Sequence, residues 1–360
     1  MPRRRSRRRS NRTLPSLKSL ARLKSLAALK PVWPNRPPVN LPPLPRRRPT
    51  GGGRWLRDQP TTGLGGRSFD LYLPAGLRRR TRVPMVLLLH GCLQTPEEFA
   101  DATRFTAVAD RNGLILVLPH QEQRHHSRRC WRWYESLHQQ RGSGEPALLA
   151  AITRQVAAEE ARWRVDPLRI YVAGLSAGGA MALIMAAAYP DLFAAVGVHS
   201  APAYRSATRG SQALPAMAAR IPVPPPAPGA VAMPPLLVVQ GTADDVVAPL
   251  NGDRVADQWL AHRSAAADGG IDLARIARTR TDRGRSGDGR RYTRVRWYTT
   301  RRQRVLEYWL IQRLGHAWSG GRPGGSYSEP AGPRAATLMW TFFRSHRLDR
   351  SAATDADRVA

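Results

Sequence analysis

A chain of 360 residues with 42% hydrophobic composition holds enough apolar material for one large single-core domain. It has no run of about 18 apolar residues, which excludes a membrane-spanning helix, and its two cysteines cannot by themselves form a structural zinc site. The formal net charge of +31 does not indicate nucleic-acid binding, because residues 1–50 hold fifteen Lys or Arg and no acid, and no nucleic-acid-binding motif accompanies them.

Residues 1–65 read as a basic, Pro-rich, disordered arm. It comprises an arginine cluster from Arg3 to Arg12, a leucine–lysine segment, a proline-rich run from Pro31 to Pro49 and glycines at 51–53. Leu14, Leu17, Leu20, Leu23, Leu26 and Leu29 recur every three residues. At about 100° per residue that row drifts around a helix instead of holding one face. The start has the positive part of a signal peptide without the continuous apolar core that should follow, so a standard leader is not supported. The plain reading of the arm is a solvated charge run. The sharper one is salt-dependent adhesion to a polyanion, a granule or an anionic membrane surface.

The globular pattern begins at about residue 66 and runs to 348. Phe69–Leu73 alternates as a strand, Met85–Leu89 is a continuous apolar strand, and Glu97–Arg111 reads as one helix ended by Asn112 and Gly113. Leu114–Leu118 is a buried strand, Ala147–Trp163 a long helix, Arg169–Ala173 a short buried strand, and Ala177–Tyr189 a helix closed by Pro190. Ala194–Val198 follows as a strand. Residues 202–235 are proline-rich and read either as part of a cap or as a surface loop. Leu236–Gln240 is a strand, and residues 275–304, with twelve arginines against Asp282 and Asp288, read as an exposed hairpin or insertion. Arg304–Ile311 is the last strand, Ala335–Phe343 the closing helix, and residues 349–360 a frayed tail. Alternating strands and helices imply an α/β fold: a doubly wound, mostly parallel sheet covered on both faces.

Chemistry enters at Gly174-Leu175-Ser176-Ala177-Gly178, where an apolar strand runs through a Gly-x-Ser-x-Gly turn into a helix. A serine hydroxyl needs a histidine to take its proton and a carboxylate to orient that histidine. In a doubly wound hydrolase the chain order is serine, acid, histidine. Asp244, on the turn after Leu236–Gln240, meets the requirement for the acid, with Asp245 its close rival. His316, on the glycine-rich loop after Arg304–Ile311, meets that for the base. His199 competes with it and reads as a supporting or substrate-lining residue. The oxyanion donors expected are the backbone N–H groups of Ala177 and Cys92. Cys92 and Cys130 lie in loops at one end of the sheet, as a disulfide or as two buried thiols. Trp131, Trp133, Tyr134 and Trp318 are aromatic candidates for a groove, with core packing the alternative.

These residues resemble the short-chain polyhydroxyalkanoate (PHB) depolymerase esterases of the α/β-hydrolase superfamily. The resemblance rests on Leu89-His90-Gly91-Cys92-Leu93-Gln94, Cys130-Trp131-Arg132-Trp133, Gly142-Ser143-Gly144-Glu145-Pro146, Gly174–Met181, Gly241-Thr242-Ala243-Asp244 and Gly315–Gly321. It implies a metal-free, cofactor-free serine esterase with Ser176, Asp244 and His316 as nucleophile, acid and base. It also implies a short 3-hydroxyacyl polyester or oligomer as substrate, with feruloyl or acetylxylan esters as the alternative. Trp133, His199 and Trp318 are expected to line the substrate. The resemblance implies an extracellular location, and the missing leader pattern favours a cytoplasmic one. A reading of another class is a surface-adhesion protein with an incidental hydrolase fold.

Overall fold

The computed structural model describes residues 52–62, 67–77, 81–226, 232–265 and 278–349. Within them, ten strands form one sheet. They are β1 (Arg54–Pro60), β2 (Ser68–Leu73), β3 (Val83–Leu89), β4 (Ile115–Pro119), β5 (Val165–Leu175), β6 (Ala195–His199), β7 (Leu236–Gly241), β8 (Arg278–Arg285), β9 (Arg291–Tyr298) and β10 (Arg304–Ile311). The spatial order is β1-β2-β4-β3-β5-β6-β7-β10-β9-β8. The six strands from β4 to β10 run parallel, and an antiparallel pair closes each side.

Every residue of β3, β4, β6 and β7 is buried, as expected for parallel strands covered on both faces. The pleat then splits neighbours between two cores. Met85, Leu87 and Leu89 face α3 (Gly144–Ala158), α4 (Ala177–Ala188) and α6 (Leu250–Ala265), whereas Val86 and Leu88 face α1 (Pro96–Thr103), α2 (Phe105–Asn112) and α7 (Ala335–Phe343). This is the α/β-hydrolase architecture.

Three elements differ from the sequence pattern for identifiable reasons. The helix expected over 97–111 is two helices, broken at Arg104 in the left-handed region (φ 59°). There the Thr103 hydroxyl accepts from Phe105 N and donates to Ala100 O, replacing helical bonds. The break sets both Phe99 and Phe105 against Trp318. The long helix α3 stops at Ala158, because the Trp163 indole donates to Val156 O (2.8 Å) and folds the chain back. The sheet also starts inside the expected arm. β1 pairs with β2, and Trp55 packs edge-on against Tyr72 (5.2 Å). An edge strand with one outer face wet carries little apolar signal. The arginine cluster, the leucine row and the tail beyond Asp349 lie outside the described residues.

The arginine-rich segment forms the β8–β9 hairpin at the sheet edge, where Asp282 gathers Arg280, Arg294 and Arg296. The proline-rich interval holds α5 (Ala213–Met217), and Ala203, Ala207 and Ala216 are buried against the core.

Gly241 ends β7 where a Cβ would overlap the Leu314 carbonyl on the loop after β10. Gly241→Ala should therefore cost about 1–3 kcal/mol, read as a lower urea midpoint at unchanged slope.

Candidate active site

Ser176 stands between β5 and α4 with φ 55° and ψ −120°, a strained conformation for a residue with a side chain. It occupies the N-cap position of α4, yet its side chain makes no capping hydrogen bond, so an ordinary capping serine does not describe it. Its backbone N–H donates to His199 O (2.9 Å). The flanking glycines are required by close backbone approach. A Cβ on Gly174 would overlap the Gly178 backbone, and one on Gly178 would overlap the carbonyls of Leu89 and His90.

Asp244 follows β7 and is 4% exposed, while Asp245 points to solvent. Its Oδ1 accepts from Val246 N (3.1 Å) and Val247 N (2.8 Å), a local turn that aims the carboxylate. Gln240 Nε2 donates to Oδ2 (3.3 Å). His316 Nδ1 lies 3.1 and 3.0 Å from the two carboxylate oxygens. Burial pushes the Asp244 carboxyl up, but the His316 hydrogen bond and charge, the Val247 N–H and the Ser200 hydroxyl outweigh it and hold it below its ordinary value. An ionised carboxylate only accepts, so the proton sits on His316 Nδ1 and Nε2 is left as the basic atom. The turn carrying Asp244 and the loop carrying His316 are tied together by Thr242 N to Ile311 O and Ala243 N to Leu314 O (both 3.0 Å).

The loop after β3 lies alongside. Gly91 approaches Ser176 closely, and its N–H is taken by Gln94 Oε1 (2.9 Å). Cys92 is bridged to Cys130, with Cα atoms 4.3 Å apart, so the bridged alternative holds and there are no free thiols among the described residues. Ala177 heads α4, whose first N–H groups have no acceptor within the helix and carry its positive dipole end. The loop is braced from behind. The Trp131 indole donates to His90 O (3.0 Å), and Gln121 Nε2 donates to Cys130 O (2.7 Å) and to the buried Glu145 (2.6 Å). Burial holds the His90 imidazole at about 4, so it is neutral.

The three expected substrate-lining side chains are buried instead. Trp133 is 5% exposed, and His199 and Trp318 are fully covered. Trp318 stacks on His199 (5.2 Å) and meets Phe99 edge-on (5.6 Å). Large aromatics near a loop motif fill the core because it offers them the greater contact area. Tyr327, which lies edge-on to His316 at 6.3 Å, is 43% exposed, and Leu93, next to Cys92 on the loop after β3, is 47% exposed. Neither has a local sequence signature, nor do Gln240 and Ser200. Glu145 was visible only as part of a motif.

Asp58, Asp70 and His120 bring potential ligand atoms within 4.8 Å of one another. Asp70 is already matched by His120 (3.0 Å) and Arg57 (3.5 Å), which makes the group an ion-pair cluster.

Residues 67–283 match the family described as esterase PHB depolymerase. The chain is 31% identical over 198 residues to poly(3-hydroxyalkanoate) depolymerase C of Paucimonas lemoignei, covering 52% of this chain and 46% of that one. It is 31% identical over 150 residues to feruloyl esterase B of Neurospora crassa, covering 39% and 50%. The chain thus spans half or less of the length of these curated relatives. Acetyl xylan esterase from Aspergillus awamori shares the fold, with a TM-score of 0.59 at 18% identity over 82% of this chain and 100% of that one.

The Cys92–Cys130 bridge closes a span of 38 residues. Replacing both cysteines by serine should lower unfolding free energy by about 2–4 kcal/mol. An unchanged urea midpoint would show that the bridge contributes nothing in solution.

Proposed function

Because the chain belongs to the esterase PHB depolymerase family, we propose that it is a serine carboxylic ester hydrolase working through an acyl-enzyme. The observation that carries this reading is the buried Asp244–His316 pair at the same carboxyl end of the parallel strands as the strained, uncapped Ser176. In the proposed cycle His316 Nε2 takes the Ser176 proton as Oγ attacks the ester carbonyl carbon. The negative oxygen that develops is held by the N–H groups of Ala177 and Cys92. Collapse breaks the C–O bond, and the departing alkoxide takes the proton from His316. Water then attacks the acyl carbon, gives its proton to His316, and the second collapse returns that proton to Ser176 as the acid leaves. Asp244 stays ionised throughout and stabilises the imidazolium.

The proposed substrate is a short-chain 3-hydroxyalkanoate polyester or its oligomers, supported by the depolymerases among the relatives. Feruloyl and acetylxylan esters are the second reading, because relatives so named align at 29–31% identity. The catalytic unit is taken to run from β1 to residue 348. The Cys92–Cys130 bridge supports an oxidising, extracellular setting. Polyanion adhesion by the basic arm stays a separate proposal.

Ser176→Ala should cut turnover of p-nitrophenyl butyrate by about 10⁴–10⁶-fold with the circular dichroism spectrum unchanged; a variant as active as the parent rules out the nucleophile. Rates on 3-hydroxybutyrate oligomers, ethyl ferulate and acetylated xylan should rank the oligomers first. A ranking led by ferulate or xylan moves the substrate to the second reading.

A further inference from the structure

His199 closes β6 and is fully buried, and its two ring nitrogens point to different parts of the site. Nε2 lies 3.1 Å from the backbone N–H of Ser319, three residues beyond His316. Nδ1 lies 3.0 Å from the Ser200 hydroxyl oxygen. A backbone N–H can only donate, so Nε2 is the bare nitrogen and the proton sits on Nδ1. The Ser200 oxygen therefore accepts from His199, which leaves its own hydrogen free to be directed at the Asp244 carboxylate, whose charged form Ser200 favours.

Two further observations show that this arrangement is built in. Ser200 is 1% exposed and held in the left-handed region (φ 51°), a conformation a serine adopts at a cost. Its backbone N–H is pinned to Val239 O (2.9 Å) on the strand that leads to Asp244. The ring of His199 is also fixed by its stack on Trp318, whose backbone N–H donates to Tyr327 O (2.7 Å).

We propose that His199 and Ser200 are positioning residues that hold the acid and the base in one frame. His199 anchors the loop of His316 through Ser319, and orients Asp244 through the Ser200 hydroxyl. This rests on the roles given above to Asp244 and His316. Burial pushes His199 down to about 3, so its tautomer persists across any neutral working range. The titratable groups around Asp244 are His316 and, through Ser200, His199; the Tyr327 ring lies edge-on to His316 at 6.3 Å, and Asp245 faces solvent.

The test compares Ser200→Ala with Ser200→Gly in the full chain. Both lose the hydroxyl, while glycine relieves the left-handed backbone, so a merely structural role predicts that glycine restores the parent. The positioning role predicts that both variants lose about 10-fold in kcat with KM nearly unchanged. It also predicts that the acid limb of their kcat/KM profile moves to higher pH, because a carboxylate with one donor fewer is more basic. In ¹⁵N-histidine spectra of the parent, His199 should show the Nδ1–H tautomer throughout pH 5–9. The proposal is overturned by parental rates and pH profiles in both variants, by rescue in glycine alone, or by the Nε2–H tautomer. An active Ser176→Ala would instead overturn the underlying hydrolase reading.

Discussion

The structure around Ser176 depends on how closely three backbones approach one another. The chain leaving β3, the turn after β5 and the start of α4 meet where Gly174 and Gly178 present no Cβ. A Cβ on Gly179 would likewise crowd the Ala201 side chain and the carbonyls of Gly174 and His199. This contact places the loop of Gly91 and Cys92 beside Ser176, and the same packing enforces the strained φ of the serine. Strain of this kind costs of order 1–3 kcal/mol and persists only when the surroundings over-determine it. Here the surroundings are fully buried parallel strands and a helix whose residues 177–186 are all buried.

A second requirement is that buried polar groups at the sheet edge find partners. Asp244 gathers two backbone donors, Gln240 and His316, and Ser200 further favours its charged form, which makes an ionised carboxylate tolerable at that depth. Glu145 does the corresponding work behind the disulfide, accepting from Gln121 and from Arg132 N (2.7 Å) with Arg67 at 3.6 Å. Although burial pushes the Glu145 carboxyl up despite these partners, its contacts tie α3 to the Cys130–Trp131 segment. Each network joins elements distant in sequence, so neither can form before the sheet does.

Much of the fold was legible because period and burial agree. The apolar runs at Met85–Leu89 and Leu236–Gln240 are buried on both sides and so read clearly as parallel strands. β1 was missed because an edge strand needs no apolar alternation. The split of the 97–111 helix was missed because the break arises from one threonine hydroxyl and one left-handed arginine, which leave the helical period intact on either side.

By itself the sequence determined the Gly-x-Ser-x-Gly turn at Ser176, the buried strands around it and the esterase family, because each depends on residue types at short spacing in or beside a strand. Only the tertiary structure decided that Asp244 and not Asp245 meets His316, that Cys92 and Cys130 are bridged, and that Trp133, His199 and Trp318 are interior. Those outcomes depend on which side chain a turn aims inward and on how much volume the core leaves. Both are set by contacts between segments tens to hundreds of residues apart, which local pattern does not encode.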